Sequence, residues 1–139
     1  MVEGYGIVFK EVIKMTFKSI ELSDLELIKK EYISYFNNYE EGEWSVESVS
    51  RKFRQLTDRF DYLGVGLFSE GIMIGFAVGV LSQFDDGLIA ILNELFIVKE
   101  EQSKGYGSLL LKEFEKQMKN NGAFRIQLES ANDDPHKKF

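Results

Sequence analysis

Between Leu92 and Met118 the chain reads LNELFIVKEEQSKGYGSLLLKEFEKQM, and no other stretch restricts its folding as much. The apolar run Leu95, Phe96, Ile97 and Val98 stops at Lys99-Glu100-Glu101-Gln102, after which Gly105 and Gly107 open an amphipathic segment. That is a strand, a glycine loop and a helix in direct succession. The first amides of a helix have no internal partners and sit at the positive end of its dipole, so such a junction suits an anion. With no Cβ at Gly105 or Gly107 a phosphate can approach the backbone, which makes Gln102 to Ser108 a candidate phosphate cradle. Two other phosphate motifs do not fit. A dinucleotide fingerprint needs a third glycine where Leu110 stands, and the Gly-Lys-Ser/Thr of a P-loop is absent.

The flanking chain supplies the elements such a junction needs. Alternation from Val12 to Ile20 predicts a half-buried first strand, and Ser23 with Glu26 has capping-box spacing ahead of a helical stripe at Leu25, Ile28, Tyr32 and Phe36. Asn37 to Glu43 is acidic and turn-like. Ser45 is then the N-cap of a second helix, whose Val46, Val49, Phe53, Leu56 and Phe60 form one core-facing stripe. Tyr62 to Ser69 and Ile72 to Gln83 read as strands joined by Glu70-Gly71, the second buried on both faces, and Asp85-Asp86-Gly87 leads into a strand from Leu88 to Val98. Tyr106, Leu110, Phe114 and Met118 give the inner face of the next helix. Asn121-Gly122 stops it, and the strand from Ala123 to Glu129 runs parallel to the one before the helix. The predicted order is β-α-α-β-β-β-α-β, an α/β (α+β) domain. With 139 residues the chain fits one domain over 1–139, with 1–10 either a frayed arm or an added short strand.

Composition narrows the chemistry. Without cysteine there are no disulfides, thiolate metal sites or cysteine nucleophiles, and a single histidine, His136, leaves no multi-histidine metal site or Ser-His-Asp triad. No metal is expected, and a catalytic base is a carboxylate or a water. A net charge of -6 disfavours nucleic acid and favours a cationic substrate. The absence of a long apolar run or a leader-like N-terminus predicts a cytoplasmic protein with no membrane partner.

The pattern Gln102-x-x-Gly105-x-Gly107 resembles the acetyl-CoA-binding signature of the GNAT superfamily of N-acetyltransferases. The resemblance implies an acyl-CoA N-acyltransferase fold: a mixed, mostly antiparallel sheet flanked by helices, with a parallel central strand pair that splays to admit the cofactor. It implies that the backbones of Phe96, Ile97 and Val98 hold the pantetheine arm of acetyl-CoA, amides near Ile97 and Val98 polarising the thioester carbonyl. The pyrophosphate falls to Gln102, Ser103, Lys104, Gly105, Tyr106, Gly107 and Ser108, and Asn132 contacts the pantetheine region. Tyr35, Tyr39, Glu40, Glu41, Glu43 and Trp44 would line the acceptor site, unless they form a solvated loop. Pro135 to Phe139 resembles the start of the helix that carries the family's acid tyrosine. Phe139 is the last residue, so the family's C-terminal elements are missing. That is expected of a truncated chain, or of a short form whose open sheet edge a second copy closes as a homodimer.

For transfer to an amine, Glu94 is the candidate base. It is a carboxylate in an otherwise apolar strand, where burial raises its pKa, unless it points outward or pairs with a basic neighbour. Glu129 is the second candidate, as a base or in recognising an ammonium group. The expected reaction is acetyl transfer from acetyl-CoA to the primary amine of a small cationic molecule, such as an aminoglycoside or polyamine, or of a peptide. The alternative is an acyl-CoA-binding module without turnover.

Overall fold

The computed structural model describes residues 13–129. Its elements are β1 (Met15–Ser19), α1 (Leu22–Leu25), a 3-10 turn (Glu26–Ile28), α2 (Lys29–Tyr39), α3 (Val46–Thr57), β2 (Tyr62–Ser69), β3 (Ile72–Phe84) and β4 (Gly87–Ile97). A second 3-10 turn (Lys99–Glu101), α4 (Tyr106–Asn120) and β5 (Ala123–Leu128) follow. The N-terminal arm, Asn132 and the segment from Pro135 to Phe139 lie outside the described residues.

The five strands form one sheet in sequence order. Short turns at Glu70-Gly71 and Asp85-Asp86 return the chain at once, so β2, β3 and β4 pair antiparallel; β1 pairs antiparallel with β2 across the helical segment between them, and the α4 crossover makes β5 parallel to β4. Strand parity decides what each face buries. Phe76 and Phe96, opposite one another across β3 and β4, meet the rings of Tyr32 and Phe53 from α2 and α3. Gly79 has the opposite parity and faces Phe114 of α4. Helices therefore cover both faces, and β3 is buried continuously from Met73 to Val80.

Three details position the site. Pairing of β4 with β5 ends at Leu92 opposite Leu128, closed by the Glu129 N–H donating to the Leu92 carbonyl at 3.0 Å. Beyond it, among the described residues, β4 pairs only with β3. At that end of the pairing Leu92 faces Gly79 and Glu94 faces Val78, leaving Asn93 as the extra residue of a β-bulge. Gly79 is a glycine by necessity, because a Cβ there would lie 2.1 Å from the Ile91 carbonyl oxygen and 2.7 Å from Phe114 Cζ. Backbone at the bulge cannot yield as a flexible side chain would. Gly79→Ala is expected to lower unfolding stability by about 3 kcal/mol, the upper part of the usual overpacking range, read as a fall in the denaturant midpoint at constant m.

Several sequence expectations need correction. The first helix starts at Leu22 rather than near Asp24. The Asp24 carboxylate accepts from the Glu21 N–H at 2.9 Å, so the capping pair is Glu21 with Asp24 and not Ser23 with Glu26. Among the described residues β1 begins at Met15, and Phe17 is exposed, its edge position leaving one face uncovered. Ser45 does cap α3, accepting from the Ser48 N–H at 3.0 Å while Ser48 Oγ accepts from the Ser45 N–H. Val49, Phe53 and Leu56 are buried, but Val46 is solvent-facing in the first turn and Phe60, past the helix end, is fully exposed.

Candidate active site

Beyond the described pairing of β4 with β5, a cavity of about 670 Å³ opens between α2, the end of β4 and the start of α4. Tyr35, Phe36 and Glu40 form one wall, Leu95, Phe96 and Ile97 the floor, and Glu101, Gln102, Ser103, Tyr106 and Gly107 the other wall. The glycine loop reaches it through two left-handed residues, Ser103 (φ 65) and Gly105 (φ 86), and the N-cap Gly105 offers no side-chain acceptor to the first turn of α4. The amides of Tyr106, Gly107 and Ser108 thus stay available to a ligand. A Cβ on Gly107 would meet nothing closer than Leu95 Cδ2 at 4.0 Å. Protein packing does not demand glycine there, but a ligand lying against the backbone would.

Hydrogen bonding fixes which edge each peptide group of β4 presents. The Val98 N–H donates to the Ile74 carbonyl at 2.9 Å, while the Ile97 carbonyl turns the other way and accepts from Gln102 Nε2 at 2.8 Å. Backbone groups alternate along a strand, so Phe96 and Val98 face β3 whereas Leu95 and Ile97 face the open edge. The expectation that Phe96 and Val98 supply free backbone groups is therefore wrong. The residues facing the cleft are Leu95, which sequence reasoning missed, and Ile97. Gln102 is a brace that ties the loop to the end of β4.

Glu94 points inward, toward α2 and α3. It is half-buried, and its Oε2 accepts a short hydrogen bond from the hydroxyl of Tyr32, itself 2% exposed. Burial pushes the carboxyl of Glu94 above the ordinary range, with the nearby charge of Glu129 adding, while the Tyr32 hydrogen bond and the Lys52 ammonium oppose the shift. Glu129 is exposed. It accepts from Asn93 Nδ2 at 2.9 Å, and Arg59 reaches Asn93 Oδ1 at 3.5 Å, so the bulge residue links Glu129, just past β5, to the chain after α3.

Of the expected acceptor-wall residues, Tyr35 lines the cavity and donates its hydroxyl to Glu40 at 2.7 Å, a bond that raises its pKa. Tyr39 stacks on Tyr35 with ring centroids 5.7 Å apart and carries the Lys99 ammonium 4.7 Å above its ring. Glu41 and Trp44 lie away from the cavity's lining. Glu41 is an exposed left-handed turn residue, and Trp44 packs edge-on to Tyr32 while Asn37 brackets its N–H and carbonyl. Lys104 pairs with Glu101 at 3.1 Å. Among the described residues no cluster of three metal-ligating side chains occurs, and no helix is long and apolar enough to cross a membrane.

This arrangement matches known proteins. The model of the acetyltransferase (GNAT) family matches residues 25–137. A GNAT family acetyltransferase from Staphylococcus aureus superposes with a TM-score of 0.67 at 20% identity, covering 85% of this chain and 87% of that one. A ribosomal-protein-alanine N-acetyltransferase from Brucella melitensis biovar Abortus gives 0.69 at 10% identity, with coverage of 89% and 86%. The aminoglycoside N-acetyltransferase AAC(6')-Iy, solved in complex with CoA, gives 0.66 at 12% identity, covering 91% and 81%. At these identities what is shared is the acyl-CoA N-acyltransferase fold. No curated protein matches the sequence significantly.

Proposed function

This chain belongs to the acetyltransferase (GNAT) family, whose enzymes use acetyl-CoA, and we propose that its acceptor is the primary amine of a small cationic molecule or of a peptide. The observation that carries the reading is the convergence on one cavity of a β4 edge that is unpaired among the described residues and a glycine-opened helix start, with Glu94 on that same strand. The residues present suit acetyl-CoA: Gly107 leaves room against the backbone, and the cleft edge offers peptide groups two residues apart.

When bound, acetyl-CoA supplies an acetyl group activated as a thioester. The chain's own part is positioning and proton transfer. First-turn amides of α4 take the phosphates, Ile97 holds the pantetheine arm through its outward N–H, and the outward N–H of Leu95 is the donor for the acyl oxygen. Glu94 takes the proton that the acceptor ammonium must lose before its nitrogen can attack. As the N–C bond forms and the C–S bond breaks, a second proton leaves nitrogen and the departing thiolate takes up one, so each turnover releases one net proton, which Glu94 passes to solvent to regain its charge.

A cationic acceptor is supported by the net charge of -6 and by Glu40 in the cavity wall; the family relatives named for aminoglycosides and for a ribosomal protein support the amine class. The test is calorimetric titration with acetyl-CoA followed by thiol release against a panel of aminoglycosides, polyamines and peptides. Micromolar binding with thiol release for a polycation is expected. Release only with neutral or anionic amines would overturn the acceptor class, and binding without release for any amine would favour a module that holds the cofactor without turnover.

A further inference from the structure

We propose that Tyr32 is a positioning residue for the base, gripping Glu94 by Oε2 so that Oε1 is the oxygen presented to the acceptor amine. The inference rests on reading Glu94 as that base. Tyr32 sits in the core stripe of α2, and its ring is held from several directions: Phe36 with centroids at 4.6 Å, Phe53 at 5.1 Å and Phe96 at 5.2 Å. So fixed, the hydroxyl has little freedom to seek another partner. A buried tyrosyl O–H needs an acceptor, and many backbone carbonyls would serve. Here the acceptor is a carboxylate 62 residues away, one position past the β-bulge at the end of the described β4–β5 pairing.

The titratable groups around Glu94 come from three places: Tyr32 from α2, Lys52 from α3 and Glu129 just past β5. Of these only Tyr32 hydrogen-bonds the carboxylate among the described residues. Burial, then the adjacent carboxylate, pushes the Tyr32 hydroxyl far above its ordinary value. It stays protonated across the working range and acts as a permanent donor, never as the proton acceptor. A donor of this kind favours the ionised form of Glu94, counteracting the burial that would keep it neutral. The pair thus admits a half-buried base that still ionises.

The experiment compares Tyr32→Phe, Phe53→Leu, Glu94→Gln and the Tyr32→Phe/Glu94→Gln double variant. One readout is the carboxyl titration of Glu94 by carbon-13 NMR in cofactor-free protein, and the other is the pH profile of kcat/KM. Removing the hydroxyl should move the carboxyl titration and the acid limb of the profile together to higher pH. The loss should be about tenfold at a fixed pH on the limb, with acetyl-CoA affinity unchanged. Phe53→Leu, which loosens the ring cage without touching the carboxylate, should lower stability and move neither. In the Glu94→Gln background the tyrosine change should add no further loss of rate. Replacing Tyr32 by 3-fluorotyrosine, a near-isostere with a stronger donor, should move both readouts the opposite way and serves if the phenylalanine variant does not fold. If the titration and the limb stay put when Tyr32 is changed but vanish in Glu94→Gln, the positioning role is wrong while Glu94 remains the base. A limb that survives Glu94→Gln would overturn both.

Discussion

Replacing Glu94 by glutamine is expected to lower kcat/KM by about a hundredfold to ten-thousandfold, the usual range for losing a positioned general base, while leaving acetyl-CoA affinity nearly unchanged. Glutamine keeps the shape and an oxygen that can accept from the Tyr32 hydroxyl, so what is removed is the ability to take a proton. In the parent the rate should fall as pH drops through the Glu94 pKa, which burial raises above the ordinary carboxylate value, and that limb should vanish in the variant. Stability moves the other way. A carboxyl whose pKa is raised in the fold binds its proton more tightly there than in the unfolded chain, so its ionisation works against folding. This cost is absent below the ordinary carboxylate pKa. It grows as pH rises from that value to the raised one and is fully present above it. Glu94→Gln removes the cost, which at neutral pH is present whether Glu94 is ionised in the fold or still protonated, so the variant should melt higher than the parent there. A melting temperature that falls together with activity would mean that Glu94 is needed for packing instead.

Much of this fold is written locally in the sequence. Glu70-Gly71 and Asp85-Asp86 are turns wherever they stand between apolar runs, and they alone fix β2, β3 and β4 as an antiparallel meander. The strand, glycine loop and helix around Gly105 are equally local, and so was the parallel pairing that the α4 crossover enforces. What escaped sequence reasoning is set by long-range register. Nothing near Asn93 marks it as a bulge; the extra residue emerges because Gly79 faces Leu92 while Val78 faces Glu94. That register, with the Val98 N–H committed to Ile74, turns Leu95 and Ile97 to the cleft and Phe96 and Val98 away from it. A run of four apolar residues has no internal sign of its parity. Tyr32 was legible as core from its helical spacing, and only its hydroxyl hinted at a polar partner. Finding that partner to be Glu94 required the fold. Trp44 illustrates the converse: an aromatic beside an acidic turn resembles a binding wall, yet its ring closes the core over Tyr32.

Gly107→Leu is expected to weaken acetyl-CoA binding by about a hundredfold or more without destabilising the protein. Gly107 lies in the first turn of α4, outside the left-handed region, and a Cβ there has no close neighbour, so the fold has room for a side chain. Leucine is a better helix former than glycine, by up to about 1 kcal/mol in a helix interior and less near an end, so the melting temperature should hold or rise. The added side chain, however, grows from the wall of the 670 Å³ cavity, over the first-turn amides. Losing two hydrogen bonds between those amides and a charged phosphate, each worth about 1.5–3 kcal/mol, corresponds to a hundredfold or more in affinity. Gly105 does not give so clean a test. At φ 86 it occupies the left-handed region, where any side chain costs about 1–2 kcal/mol whatever the space around it, so its variants would lose stability and binding together. Calorimetric titration of Gly107→Leu beside a melting curve separates the two effects. Unchanged affinity in a protein that melts normally would mean that nothing binds against the backbone at Gly107, and the glycine-opened turn would then be no more than a tight connection between β4 and α4.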